Sequence, residues 1–137
     1  MKKTLTIISV IAIVAILAVA LMACVPSDYT KAESNLKDAG YYVASYKEGD
    51  PLFKTMTAMF GAENVTAIVT GSSKDLEEGI TLVYFKDSKS AKNAFEKFKK
   101  QMEDESKEDS NKDKDYVIKQ SGKVIYGGTK KAVKDVQ

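Results

Sequence analysis

The sequence contains no histidine, no tryptophan and no arginine, and its 137 residues include one cysteine. Histidine is the usual general base at neutral pH and the commonest metal ligand, so its absence removes the simplest routes to acid–base catalysis and to a metal site. A lone cysteine cannot form a disulfide within the chain. These absences disfavour an enzyme or a disulfide scaffold, and no cofactor is predicted.

The charge pattern disfavours a nucleic-acid partner. All 21 basic residues are lysines, and two of them, Lys2 and Lys3, precede a long apolar run, which leaves 19 lysines against 19 acidic residues in the remainder. Without arginine there is no bidentate guanidinium for phosphate or guanine, and a neutral domain has no general attraction for a polyanion. We therefore expect no binding to nucleic acid.

The first two dozen residues have the order of an export signal. Lys2 and Lys3 form a short basic region, and the 21 residues from Leu5 to Val25 carry no charge. A basic region, an apolar core and a small residue before a cleavage point are typical of a signal peptide. Such a run is also long enough, as a helix, to cross the roughly 30 Å hydrocarbon core of a membrane.

The end of this run, Leu21-Met22-Ala23-Cys24, resembles the lipobox of bacterial lipoproteins. In that family the cysteine sulfur receives a diacylglyceryl group, and the peptidase then cuts before the cysteine. The resemblance implies lipidation of Cys24 and cleavage between Ala23 and Cys24. Met22 stands where the family usually has a smaller residue. Two acyl chains give a stable membrane anchor where one would be marginal.

An uncleaved transmembrane helix is the alternative for the same residues. In both cases the N-terminal lysines favour the cytoplasmic side, which places the rest of the chain outside the membrane. We expect a signal peptide over residues 1–23, a lipidated cysteine with a very short tether over 24–28, and one small domain over 29–137. The expected localisation is the extracytoplasmic side of a bacterial cell membrane.

The pattern after the tether predicts nine elements. Helix caps, apolar periodicity and β-branched runs mark each of them. In chain order they are a helix over 29–39, a strand around 41–46, a short helix that Gly61 ends, strands over 65–70 and 80–85, a long helix from Asp87 or Ser88, strands over 116–119 and 123–126, and a helix from Thr129 through Val136.

This order predicts an α+β fold, with an antiparallel sheet of about five strands and the helices packed on one face. The apolar stripe of the long helix, Ala91, Phe95, Phe98 and Met102, is expected to cover that face. A two-residue loop at Ser121-Gly122 would pair the last two strands so that Ile118 lies opposite Ile125, and Gly127-Gly128 would end the second of them.

Two segments resemble ligand-binding loops without matching them. Oxygen-bearing side chains alternate at Asp109, Asn111, Asp113 and Asp115, as in the first half of an EF-hand calcium loop. Lys114 stands where that loop needs glycine, and Gln120 where it needs glutamate, so a solvated loop is predicted. The pair Gly127-Gly128 before a helix start lacks the spacing of a phosphate loop, and a turn capped by Thr129 is predicted there.

Other clusters give no catalytic site. No serine lies in a G-x-S-x-G setting, and Glu77-Glu78 lies among turn residues. The methionines of the short helix, Met56 and Met59, are expected in the core.

Three functions follow from these patterns, in this order. The first is a lipid-anchored envelope domain acting as a non-catalytic binding or interaction module, with a membrane protein or cell-wall component as partner. The second is a sensor or complex subunit held by an uncleaved helix. The third is an envelope hydrolase that works without histidine.

Overall fold

The computed structural model describes residues 25–106 and 115–137. Residues 1–24, with the predicted leader, and residues 107–114, with most of the segment that resembles a calcium loop, lie outside the described residues. The described chain has an α+β fold of four helices and five strands.

The elements follow the predicted order. In chain order they are α1 (Tyr29–Asp38), β1 (Tyr42–Lys47), α2 (Phe53–Phe60), β2 (Val65–Ser72), β3 (Gly79–Phe85), α3 (Ser88–Ser106), β4 (Tyr116–Ser121), β5 (Val124–Thr129) and α4 (Lys130–Val136). Asp28 caps α1 by accepting a hydrogen bond from the backbone N–H of Thr30, and Thr129 caps α4 by accepting from that of Ala132.

All strands belong to one antiparallel sheet with the order β1-β2-β3-β5-β4. β2 and β3 form a hairpin. α3 then leads from β3 to the far edge, where β4 lies, and β5 returns to pair with both β4 and β3. The predicted five-stranded antiparallel sheet is confirmed.

Helices cover both faces of this sheet, so the prediction that they pack on one face is wrong. One buried cluster joins the sheet to α1 and α4 through residues such as Leu36 and Val136. The other joins the opposite face to α2 and α3 through residues such as Phe53 and Phe98. The physical reason lies in the central strands, which are apolar at consecutive positions and therefore need cover on both sides.

The register of the last hairpin differs from the predicted one by two residues. Ser121 pairs with Val124 and Ile118 with Gly127, so the loop is Gly122-Lys123 and Ile118 does not face Ile125. Of the two loop residues only Gly122 has a positive φ, +60°, which is the pattern of a type II′ turn with glycine first. A shift of two residues keeps every side chain on its predicted face.

β5 continues through Gly127 and Gly128 to Thr129, so the expected turn at the glycine pair is wrong. Gly128 pairs with Ile80 on β3 and with Val117 on β4. Its backbone lies so close to β3 that a Cβ there would be 2.4 Å from the carbonyl oxygen of Gly79. Glycine is therefore required for strand packing here, and both glycines belong to the sheet.

α2 and its flanks are more exposed than the sequence predicted. Phe53 is buried and Met56 is half-buried against the α3 face, but Met59 is 59% exposed and Leu52 is 56% exposed. Within residues 25–106 and 115–137, no helix combines the length and the apolar character needed to cross a membrane.

Candidate functional sites

The junction with the leader is the first feature of interest, because the chain enters the core directly at Val25. The Val25 side chain is 3% exposed and belongs to the cluster under α1 and α4. The carbonyl oxygen of Pro26 accepts a hydrogen bond of 2.8 Å from the Tyr84 hydroxyl. The tether predicted over residues 24–28 is therefore, from Val25 onward, part of the folded domain.

Tyr84 is the residue before the end of β3, and its hydroxyl fixes this junction to the sheet. It lies on β3, is 3% exposed, and its ring meets that of Tyr29 edge to face, with 6.4 Å between centroids. Burial raises the pKa of the Tyr84 hydroxyl above its usual value, and the nearby Asp28 charge adds to this shift. The hydroxyl stays protonated and keeps donating to Pro26 throughout the physiological range.

An open depression of about 440 Å³ lies beside the junction, at the end of the sheet where β3 finishes. We call it the basal depression. Its walls come from the first residues after the leader, from the ends of β2 and β3, and from the β4–β5 loop; they are Ser27, Asp28, Tyr29, Thr66, Tyr84, Phe85, Lys86 and Lys123.

The two lysines are placed by backbone contacts. Lys86 follows β3 directly and its N–H donates to the carbonyl oxygen of Asn64, while the carbonyl oxygen of Lys123 accepts from the N–H of Phe85 at 2.8 Å. Both side chains are exposed, and within the described residues neither forms an ion pair. The depression therefore carries two ammonium groups that form no ion pair with any described residue.

The carboxylates at this end have structural partners. Asp28 Oδ1 accepts hydrogen bonds from the N–H and hydroxyl of Thr30, and Asp87 Oδ1 accepts one of 2.7 Å from the N–H of Ser90. These hydrogen bonds lower the pKa of both carboxyl groups below their usual value. Both groups are charged at neutral pH, and only Asp28 lines the basal depression.

A second depression lies at the opposite end of β3, about 20 Å away along the strand. It has a volume of about 210 Å³, and we call it the distal groove. Its floor is the distal end of the sheet face that carries α2 and α3, at Thr70, Ser72 and Thr81. Its rim includes Leu76, Glu77, Met102 and Tyr116.

The β2–β3 loop on this rim is tightly hydrogen-bonded and holds Leu76 outward. The N–H of Ser73 donates to the carbonyl oxygen of Glu78, and the N–H of Leu76 donates to that of Ser73, both at 2.9 Å. Leu76 has a φ of +63° and its side chain is 70% exposed. A left-handed non-glycine residue is costly, and such strain is often found where a residue has a function.

A charged network joins α4 to the start of β1 at the same end. Asp135 Oδ2 accepts from the Tyr41 hydroxyl and from the Lys131 ammonium, each at 2.8 Å. Burial opposes ionisation of Asp135, but these two donors outweigh it and lower the pKa of the carboxyl group. Burial and the same carboxylate raise the pKa of Tyr41.

Asp135→Asn is expected to lower stability by about 1 kcal/mol at pH 7, because the amide cannot pair with the Lys131 charge. The folded-state pKa of Asp135 is depressed, so its contribution is present above the unfolded value near 4 and is lost as the pH falls through the folded value. The difference from the native chain should therefore disappear at low pH. Urea denaturation between pH 3 and 7 measures this.

Asp38→Asn is the matched control, since the Asp38 side chain is exposed and has no hydrogen-bond or ion-pair partner in the described part of the chain. A difference between Asp135→Asn and the native chain that stayed constant down to pH 3 would contradict the assignment.

Some of the candidate lipidation and metal-ligand residues lie outside the described part of the chain. Ala23 and Cys24 lie outside the described residues, as do Asp109, Asn111 and Asp113. Asp115 is described: its side chain is exposed, and its carbonyl oxygen accepts from the N–H of Lys130 at 2.9 Å. Across 25–106 and 115–137, the structure brings no three potential metal ligands together.

The tyrosines at the start of the sheet and the methionines of α2 do not line one common cleft. Tyr41 is buried under α4, whereas Tyr42 is 64% exposed on the opposite face. Tyr46 and Met56 are half-buried against the α3 cluster. None of these side chains lines the basal depression or the distal groove.

Comparison with known proteins identifies no relative. No protein-family model matches the chain, and neither the curated proteins nor the solved structures contain a match.

Proposed function

We propose that the chain is a bacterial lipoprotein, anchored by a diacylglyceryl group on Cys24, whose α+β domain is a non-catalytic binding or interaction module on the extracytoplasmic face of the cell membrane. The lipobox-like residues Leu21 to Cys24 support this, because the only cysteine of the chain follows a basic and then apolar leader.

The observation that carries the proposal is the burial of Val25. The residue next to the proposed lipidation site is 3% exposed in the core, and the next one is hydrogen-bonded to Tyr84. A cut before Cys24 would therefore remove the apolar leader and leave the folded domain intact. The acyl chains would emerge directly at the surface of the domain, beside the basal depression.

This arrangement gives the domain an orientation. The basal depression would face the bilayer, and the distal groove, with Leu76 on its rim, would face away from it. We propose the distal end as the binding surface for a membrane protein or cell-wall component, since it combines an open sheet face with an apolar side chain held outward by a hydrogen-bonded loop.

Cys24→Ala tests the anchor. We expect it to abolish metabolic labelling by a fatty acid, because the thioether requires the sulfur, and to leave the leader attached. Met22→Ala is the matched control: it brings the motif closer to the lipobox pattern and should keep the label. Undiminished labelling of the Cys24→Ala variant would contradict lipidation at this position.

An uncleaved helix is the second proposal for the leader. Once Val25 is assigned to the core, 20 uncharged residues from Leu5 to Cys24 remain, and as a helix they span about 30 Å, enough for the hydrocarbon core. In that case the domain would be a sensor or a subunit of a membrane complex. The domain would keep the same orientation.

A further inference from the structure

We propose that the basal depression binds the headgroup of an anionic phospholipid in the bilayer that holds the chain. This inference rests on the anchoring part of the proposed function, but it holds equally for a lipidated Cys24 and for a retained helix. The chemistry recognised is a lipid phosphate carrying net negative charge, and the groups that would meet it are the ammonium groups of Lys86 and Lys123.

The position of the depression supplies the first argument. Ser27, on its wall, lies three positions after Cys24, so their Cα atoms are at most about 11 Å apart. The headgroup layer occupies roughly 5–8 Å on each side of the hydrocarbon core. Because Val25 and Pro26 are fixed to the domain, the depression has to stay within reach of this layer.

The donor groups supply the second argument. Each lysine offers three N–H donors and no acceptor, which suits phosphate oxygens, and neither has an ion-pair partner in the described residues. The Ser27 and Thr66 side chains add hydroxyl groups to the same wall. Asp28 is the one carboxylate among the lining residues, so two ammonium groups against one carboxylate leave a formal charge of +1. Oδ1 of Asp28 already accepts two hydrogen bonds from Thr30.

Because the domain has no net charge, a local positive charge at the basal depression decides whether that surface attracts an anionic membrane. With 19 lysines and 19 acidic residues after the leader, the domain has no general attraction for an anionic surface. Each lysine held at such a surface strengthens binding about fivefold, and the effect fades within a Debye length of about 8 Å. Lys74 and Lys130, near the distal groove about 20 Å away, should not respond.

Lysine labelling on vesicles tests the proposal. The full chain, purified in detergent, is added to preformed vesicles of phosphatidylcholine alone or mixed with phosphatidylglycerol, and a water-soluble amine reagent is applied. Peptide mass spectrometry gives the labelling rate at each lysine. We expect Lys86 and Lys123 to be labelled several-fold more slowly on the mixed vesicles, and Lys74 and Lys130 at the same rate on both.

A pair of double variants gives the second readout. Hydrogen exchange at the backbone amides of residues 27–29 should slow on mixed vesicles for the native chain and for the control variant K74Q/K130Q. The variant K86Q/K123Q should show no such slowing. Since these four positions are exposed, all variants are expected to fold.

The outcomes separate the two proposals. If the chain floats with the vesicles but the four lysines respond alike, the headgroup site is contradicted and the anchor stands. If the chain does not float with any vesicle, the anchor and the headgroup site both fail. Equal protection on phosphatidylcholine with inorganic phosphate added would show a free-anion site and would overturn the lipid as the ligand.

Discussion

Gly128→Ala is expected to destabilise the domain by about 3 kcal/mol. The added Cβ would lie 2.4 Å from the carbonyl oxygen of Gly79 and 2.7 Å from the Cα of Ile80. Both are backbone atoms of β3, so no side chain can turn aside, and β3 and β5 would have to separate. Urea denaturation of the chain from residue 24 onward measures the loss as a lower midpoint.

Gly79→Ala is the control on the facing strand. The nearest heavy atom to a Cβ there is the carbonyl oxygen of Gly71 at 3.6 Å, an ordinary contact, and the backbone of Gly79 is not in the left-handed region. We expect a change within about 1 kcal/mol. If Gly128→Ala unfolded at the same urea concentration as Gly79→Ala, the close approach of β5 to β3 would be wrong.

Leu36→Ala and Phe98→Ala should each cost several kcal/mol, about 3 and about 4 respectively. Leu36 is fully buried on α1, and Phe98 is 1% exposed on α3. They cover opposite faces of the sheet, where Leu36 lies over Gly71 and Phe98 over Gly127. Truncating either side chain leaves a cavity against the sheet, so both faces contribute to stability.

The midpoints of urea denaturation for the two variants test the arrangement of helices on both faces. Met59→Ala serves as the control, because this side chain on α2 is 59% exposed and should cost less than about 0.5 kcal/mol. A large loss of stability for one of the two core variants and none for the other would contradict helix packing on both faces and would favour a sheet covered on one face only.

The order and type of the elements could be predicted from local patterns. Caps and periodicity located α1 and α4 within one residue of their observed ends, as with Asp28 before α1 and Thr129 before α4. Such signals lie within a few residues of the element that they define, which is why a single sequence contains them.

The core on both faces of the sheet also has a signal in the sequence. Runs such as Leu82 to Phe85 and Val124 to Tyr126 are apolar at every position, which is typical of strands buried on both faces. The amphipathic stripe of α3, by contrast, indicates cover on one face only.

The candidate sites depend on contacts that local patterns do not contain. Tyr84 and Pro26 are 58 residues apart, and their hydrogen bond exists because β3 ends beside the start of the domain. Leu76 has no sequence signal for its positive φ, since glycine or asparagine is the usual residue there. Of the candidate sites, only the lipobox-like motif at Cys24 is contained in a few consecutive residues of the sequence.

The intact mass of the protein extracted from membranes tests most directly whether Cys24 is the N-terminal, lipidated residue. We expect the mass of residues 24–137 increased by a diacylglyceryl group, with or without a further acyl chain on the new amino group. The mass of the whole unmodified 137-residue chain would contradict the lipoprotein proposal and would assign the leader as a membrane-spanning helix.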